Sequence, residues 1–362
     1  MVSEQSVLAA LGRIEDPDLH RDIVSLGFIK DLRITEGKIS FTIELTTPAC
    51  PARKQMEEAA RAAVAALPGV HEVEIFMSSR VTTSRPHRSE LLPGVRNTIT
   101  VASGKGGVGK STVAANLSVA LRQAGATVGL MDADVYGPCI PKLMGAPDAL
   151  QHTENGKVVP PVRHGVKIMS MGFFLPKNEA VIWRGPMLHK MIQEFLSRVE
   201  WGDLDYLVID LPPGTGDVQL SLCQTIPLTG AVIVSTPQDM ALEVASKAIL
   251  MFRKLNVPIL GIVENMSYHM CSHCGQREDI FGHGGAREAS QRAGTAFLGE
   301  IPLASVIRSN SDAGLPVALG STDEAVSRSF HAVAGELAAR ISVVSAGTEA
   351  GASAGEPVLV IQ

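Results

Sequence analysis

The stretch Ser103-Gly104-Lys105-Gly106-Gly107-Val108-Gly109-Lys110-Ser111-Thr112 constrains this chain more than any other. An apolar run, residues 98–102, precedes it and residues 113–121 continue it, so the pattern reads strand, glycine loop, helix. Gly104, Gly109, Lys110 and Ser111 satisfy G-x-x-x-x-G-K-[ST], in which glycines let successive backbone N–H groups turn inward around phosphates. The helix start adds its positive end, Lys110 reaches the outer phosphates, and the Ser111 hydroxyl can sit on Mg²⁺. The loop from Gly104 through Gly106, Gly107 and Val108 to Thr112 is therefore the expected nucleotide site.

Residues 97–341 alternate apolar strands with helices, the signature of an α/β domain with a mostly parallel sheet and helices on both faces. Two strands close on acids: residues 125–131 run into Asp132-Ala133-Asp134, and residues 206–209 into Asp210. Carboxylates at the carboxyl ends of strands face the ligand crevice of such a sheet. After Asp210 comes Leu211-Pro212-Pro213-Gly214-Thr215-Gly216-Asp217, a loop able to contact the γ-phosphate side and to move on hydrolysis, with Asp217 read as a helix cap. Two further buried strands, 231–235 and 259–263, flank a helix over 240–255, and the second leads into Glu264-Asn265-Met266.

Residues 1–77 form a separate small α+β pattern: helices over 4–11 and 52–66, strands over 23–34, 38–45 and 70–76, and a turn at Glu36-Gly37. Residues 78–96 are rich in Ser, Arg, Thr, His and Pro and read as a linker. Residues 342–362 are mostly Ala, Gly, Ser and Glu and are expected to be disordered, or to dock 358–361 as a short strand. The balance of 32 Lys+Arg against 37 Asp+Glu, with no basic stripe, argues against a nucleic-acid partner. With neither eighteen uninterrupted apolar residues nor a signal pattern, the reading is no membrane and a cytoplasmic setting.

Five cysteines, an odd number, argue for thiols or a metal site rather than a disulfide framework. The informative pair lies in Met270-Cys271-Ser272-His273-Cys274-Gly275, where two intervening residues let both thiolates converge on one metal. Zn²⁺ and Fe–S clusters usually need four ligands, and Cys139 and Cys223 lie in other elements; a symmetric dimer would supply two pairs to one shared centre. A redox dithiol is the competing reading. His273 and His283 read as loop histidines.

Lys105 narrows the pattern. Lys105-Gly106-Gly107-Val108-Gly109-Lys110-Ser111 resembles the deviant Walker A loop of the MinD, ParA and nitrogenase iron protein class. In that class the extra lysine acts in trans, which implies a nucleotide-sandwich homodimer; a solvated lysine is the plain alternative. The resemblance further implies that Asp134 positions the attacking water, Asp132 belongs to the Mg²⁺ hydration shell, Asp210 is the Walker B acid and Asn265 recognises adenine. Asp134-Val135-Tyr136-Gly137-Pro138 and Trp183-Arg184-Gly185-Pro186-Met187 are similar to segments of Mrp/ApbC-type iron–sulfur cluster carriers, with Cys139 departing from the serine expected there. Asp16-Pro17-Asp18, residues 22–27 and Thr46-Thr47-Pro48-Ala49-Cys50-Pro51 resemble the small metal–sulfur cluster assembly domain at the front of some carriers. Cys50 precedes a helix N-terminus, where the dipole would lower a thiol pKa, though a structural cysteine fits as well. What this family implies is ATP and Mg²⁺ as cofactors, a labile [4Fe–4S] cluster on Cys271 and Cys274, a homodimer, and apo iron–sulfur proteins and assembly scaffolds as partners. A partitioning or positioning ATPase of the ParA/MinD type and a nitrogenase-like reductase are the other two classes.

Overall fold

The computed structural model describes residues 2–83, 91–147, 150–174, 185–214, 216–271, 273–320 and 324–354. Trp183, Arg184, Thr215 and Ser272 lie outside the described residues. Two compact units result, Met1–Ser84 with Ala338–Gln362, and Arg85–Leu337.

In the first unit, Ser3 caps helix α1 (Glu4–Leu11) through a reciprocal capping box with Ser6. Strands β1 (Ile29–Thr35) and β2 (Lys38–Leu45) form a hairpin. Its turn residues Glu36 and Gly37 both have positive φ, 47° and 85°, as a right-twisted two-residue turn demands. The first strand is shorter than expected, because 23–28 turn before entering it. Helix α2 (Arg53–Ala65) buries Met56, Ala60 and Val64 at helical spacing, and β3 (Glu72–Ser79) pairs parallel with β2. Strand β2 alternates faces and sends Ile39, Phe41, Ile43 and Leu45 into this unit's core.

The large unit holds, among the described residues, an eight-stranded sheet. Its elements run β4 (Val95–Ala102), α3 (Lys110–Gln123), β5 (Val128–Asp132), β6 (Val162–Arg163), β7 (Val166–Ser170), α4 (Gly185–Arg198), β8 (Leu204–Asp210), α5 (Asp217–Thr225), β9 (Gly230–Ser235), α6 (Asp239–Lys254), β10 (Ile259–Asn265), β11 (His269–Met270), β12 (Arg277–Glu278), α7 (Gly285–Ala293), β13 (Phe297–Ile301), α8 (Ser305–Ala313) and the start of α9 (Ala325–Ala354), whose residues from Ala338 on belong to the first unit. The sheet order is β6-β7-β5-β8-β4-β9-β10-β13, parallel except for edge strand β6. Strand β4 is central, and the chain leaving it crosses over β8 to reach β5. That reversal opens a crevice at the carboxyl ends of β4, β5 and β8, where such sheets bind ligands. Both faces of these strands are covered, so they read as continuous apolar runs rather than alternating ones.

Two expectations fail here. The expected boundary at 341 and disordered tail from 342 give way to α9, which continues to Ala354. Ala338, Ile341, Ser342 and Ser345 are all buried and recur at i, i+3, i+4, i+7, a helical stripe of small residues that composition alone conceals. Residues 355–362 lie outside the described set. The linker is shorter than 78–96, since β3 runs to Ser79 and β4 begins at Val95. Among the described residues no helix is long and apolar enough to cross a membrane.

Candidate nucleotide site and sulfur hairpin

The glycine loop joins β4 to α3, and its conformation explains its composition. Gly107 and Gly109 adopt φ 81° and 80°, in the left-handed region. At Gly109 space is limiting too: a Cβ would meet Asn265 Nδ2 at 2.3 Å. Gly104 and Gly106 complete the turn. Ser103 is fully buried and its hydroxyl donates to the Lys105 carbonyl at 3.0 Å, pinning the loop's first half. A cavity of about 230 Å³ opens beside the loop, bordered by Lys105, Lys110, Ser111, Thr112, Asp134 and Cys139.

Strand register places the acids. Asp210 at the end of β8 is the partner of Asp132 at the end of β5, which in turn pairs with Ser170 at the end of β7. Two carboxylates thus lie side by side, both fully buried. Burial first, and then the neighbouring Asp210 carboxylate, push Asp132 up to about 7. Burial also raises Asp210, opposed by the Lys110 ammonium, which donates to Asp210 Oδ1 at 2.5 Å. Lys110 also lies 3.8 Å from Asp134 Oδ2 and 3.3 Å from Ser111 Oγ. The Lys110 ammonium thus sits among Asp210, Asp134 and Ser111.

The two acids of the Asp-x-Asp differ. Asp132 Oδ2 accepts from Ser170 Oγ at 2.9 Å and from the Ile140 N–H at 3.2 Å, while Oδ1 accepts the Asp134 N–H at 3.1 Å. Both its oxygens are engaged in holding the loop that follows. Asp134 borders the cavity, with Oδ1 accepting the N–H groups of Tyr136 and Gly137, both at 3.2 Å. Asp210 Oδ2 is buried without a hydrogen-bond partner. An orphaned carboxylate oxygen beside a serine hydroxyl at the cavity is the hard oxygen donor set that a divalent cation such as Mg²⁺ takes, so these residues fit that ion.

Lys105 is partly exposed, and its Nζ lies 3.4 Å from Gln238 Oε1. Asn265, at the end of β10, is buried and donates its Nδ2 to the Val108 carbonyl at 2.8 Å. Gly216, not Asp217, holds the N-cap position of α5.

Cys271 and Cys274 sit on a ribbon formed by β11 and β12, which pair antiparallel through His269↔Glu278 and Met270↔Arg277. The Cys271 N–H donates to the Gln276 carbonyl at 2.9 Å, and the Gly275 N–H donates to the Cys271 carbonyl at 2.8 Å. Gly275 has φ 71°, as the tight turn requires. Backbone N–H groups, that of Cys274 first and then that of His273, hold the Cys271 thiol below its ordinary pKa. Cys274 is exposed. The knuckle thus presents an acidified thiol and a second sulfur to the outside, not the strand-to-helix placement of a thioredoxin-like dithiol. Beside it the Arg277 guanidinium stacks 4.2 Å from the Tyr268 ring and pairs with Asp279 and Glu300.

The remaining cysteines are of another kind. Cys50 does not gain reactivity from α2: burial outweighs the helix terminus and pushes its thiol up to about 11, with Asp16 and Asp18 adding to the shift. Burial pushes Cys223 up to about 12 and raises Cys139 as well. Sequence reasoning missed Ser170, whose strand end follows a turn-rich stretch and carries no charge to flag it. It also passed over Glu264, which is fully buried and accepts from Ser267 Oγ at 2.6 Å, the Ala286 N–H at 2.7 Å and the Gly284 N–H at 3.3 Å.

The central strand, the lysine-led glycine loop and the buried acids together define a P-loop nucleoside-triphosphatase of the MinD/ParA type. Residues 94–338 match the ParA-type family described as NUBPL iron-transfer P-loop NTPase, and residues 4–75 match the iron–sulfur cluster assembly protein family. The chain belongs to the NUBPL iron-transfer P-loop NTPase family. It is 48% identical over 339 residues to the iron–sulfur cluster carrier protein of Deinococcus radiodurans, covering 93% of this chain and 95% of that one. Among solved structures it is similar to a nucleotide-binding protein of Archaeoglobus fulgidus in complex with ADP and with cobalt found, at TM-score 0.56 and 42% identity, over 63% of this chain and 92% of that one. The cell division ATPase MinD of Pyrococcus furiosus shares the fold, at TM-score 0.50 and 23% identity over 67% of this chain and 98% of that one.

Proposed function

We propose that this chain is an ATP-dependent iron–sulfur cluster carrier that holds a labile [4Fe–4S] cluster between two subunits and passes it to apo-proteins in the cytoplasm. The observation that carries the reading is the outward-facing Cys271/Cys274 knuckle in the same unit as the lysine-led phosphate loop. Two sulfurs per chain leave a cluster half-ligated, and a second copy of the chain completes the set. A partitioning ATPase has no use for such a knuckle.

ATP binds in the loop from Gly104 to Thr112, where Lys110 leaves Asp210 for the phosphates. Ser111 and Asp210 would hold Mg²⁺, which neutralises phosphate charge when bound. Asp134, which borders the cavity, orients the attacking water. Asp132 acts behind it, fixing the Asp134 loop through Ser170 and Ile140. Lys105 extends toward the nucleotide of the second subunit. Asn265 braces the loop, and contact with adenine would require exchanging its bond to Val108. Apo iron–sulfur proteins receive the cluster and assembly scaffolds supply it.

The test is delivery. Protein loaded with cluster under anaerobic conditions should restore activity to an apo [4Fe–4S] enzyme, faster with ATP and Mg²⁺ than without. Loaded protein that keeps its cluster in the presence of acceptor and ATP would refute the carrier reading.

A further inference from the structure

The strand that ends against the phosphate loop runs directly into the sulfur knuckle. At the end of β10, Asn265 Nδ2 donates to the Val108 carbonyl at 2.8 Å. Val108 lies between Gly107 and Gly109, both left-handed, and its carbonyl is tied to Asn265, so a change at the phosphate loop's N–H groups bears directly on that bond. Gly109 permits the amide's close approach, which a Cβ would close off at 2.3 Å.

From Asn265 to Cys271 the chain is anchored at nearly every step. Met266 is held at φ 55°, a left-handed conformation that an unbranched side chain seldom adopts. The Ser267 N–H donates to the Ile301 carbonyl at 3.0 Å, and its hydroxyl donates to buried Glu264 at 2.6 Å. The Leu303 N–H donates to the Tyr268 carbonyl at 2.7 Å, and His269 Nδ1 lies 3.0 Å from the Leu303 carbonyl. Met270 pairs with Arg277 at the base of the knuckle. A segment bonded this closely has little slack to absorb a displacement.

We infer that Asn265 is a positioning residue that couples the phosphate loop to the sulfur knuckle, so that loop rearrangement at Val108 is passed through 266–270 to Cys271 and Cys274. The inference rests on the carrier reading above and gives it a route that does not depend on the loops after Asp134 and Asp210.

Its test is the alkylation rate of Cys271 and Cys274 in the full, cluster-free chain, resolved by peptide mass spectrometry after iodoacetamide. The measurement is made with saturating Mg²⁺-ADP and with a saturating non-hydrolysable ATP analogue. In the wild type the two states should differ by about fivefold or more at these cysteines, the lower end of ordinary coupling. In Asn265→Ala and in Ser267→Ala the difference should fall below about twofold with nucleotide still saturating. Ser267 is not among the residues that border the cavity, so it decides the matter if Asn265→Ala binds nucleotide too weakly to saturate. A full difference retained in Ser267→Ala, or no difference in the wild type, would overturn the coupling. Cluster loading of the wild type, followed by absorbance, separates the two claims: a chain that loads normally while its thiols ignore nucleotide sinks the coupling alone, and one that never loads sinks the carrier reading.

Discussion

At the scale of single residues, burial decides which acids and thiols do chemistry. Lys110 compensates a fully buried carboxylate at Asp210, and on the proposed reading it leaves that acid to serve phosphate. Lys110→Ala should lower ATP turnover about 100-fold or more, since the stabilising charge acts in a site where it is worth most. Cluster loading at Cys271 and Cys274 should be spared, as measured by absorbance of the anaerobically reconstituted variant. The thiols give a second outcome. Only the thiolate attacks, and a thiol held at about 11 is roughly one part in a thousand ionised at pH 8. Iodoacetamide at pH 8 should therefore label Cys271, whose pKa is lowered, well before Cys50 or Cys223. Between pH 8 and 10 the Cys50 rate should rise about tenfold per unit, because its thiolate fraction is still climbing. Cys50 labelled as fast as Cys271 would contradict the structure's account of its burial.

At the scale of elements, legibility followed the strength of the local pattern. The glycine loop, the acid-ended strands and the Cys-x-x-Cys were readable because each binds chemistry to a fixed spacing. Which acid faces the cavity was not readable: Asp132 is turned away from it by Ser170 and Asp210, partners brought in by sheet register, and by the Ile140 N–H. Cys50 misled for a related reason, since proximity to a helix start is local while desolvation is tertiary. The continuation of α9 past 341 was missed because the stretch is mostly Ala, Gly, Ser and Glu, which composition scores as disorder. It carries its own consequence. A chain ended at Leu337 loses Ile341 from the buried set, worth ~1.5–3 kcal/mol, together with the rest of the stripe. That chain should show weakened amide-exchange protection within residues 2–83, the unit that residues 338–354 belong to, whereas a dispensable tail would leave protection unchanged.

At the scale of the whole molecule, the account requires two copies. One chain offers a two-sulfur knuckle and a lysine at its loop surface, and on the proposed reading a second chain completes each. The most direct measurement is iron and sulfide per chain in anaerobically reconstituted protein whose mass is read in the same run by light scattering. The account predicts one [4Fe–4S] cluster per two chains, lost in Cys271→Ala and in Cys274→Ala while nucleotide binding persists. A full cluster on a lone subunit, or undiminished loading in either cysteine variant, would contradict it.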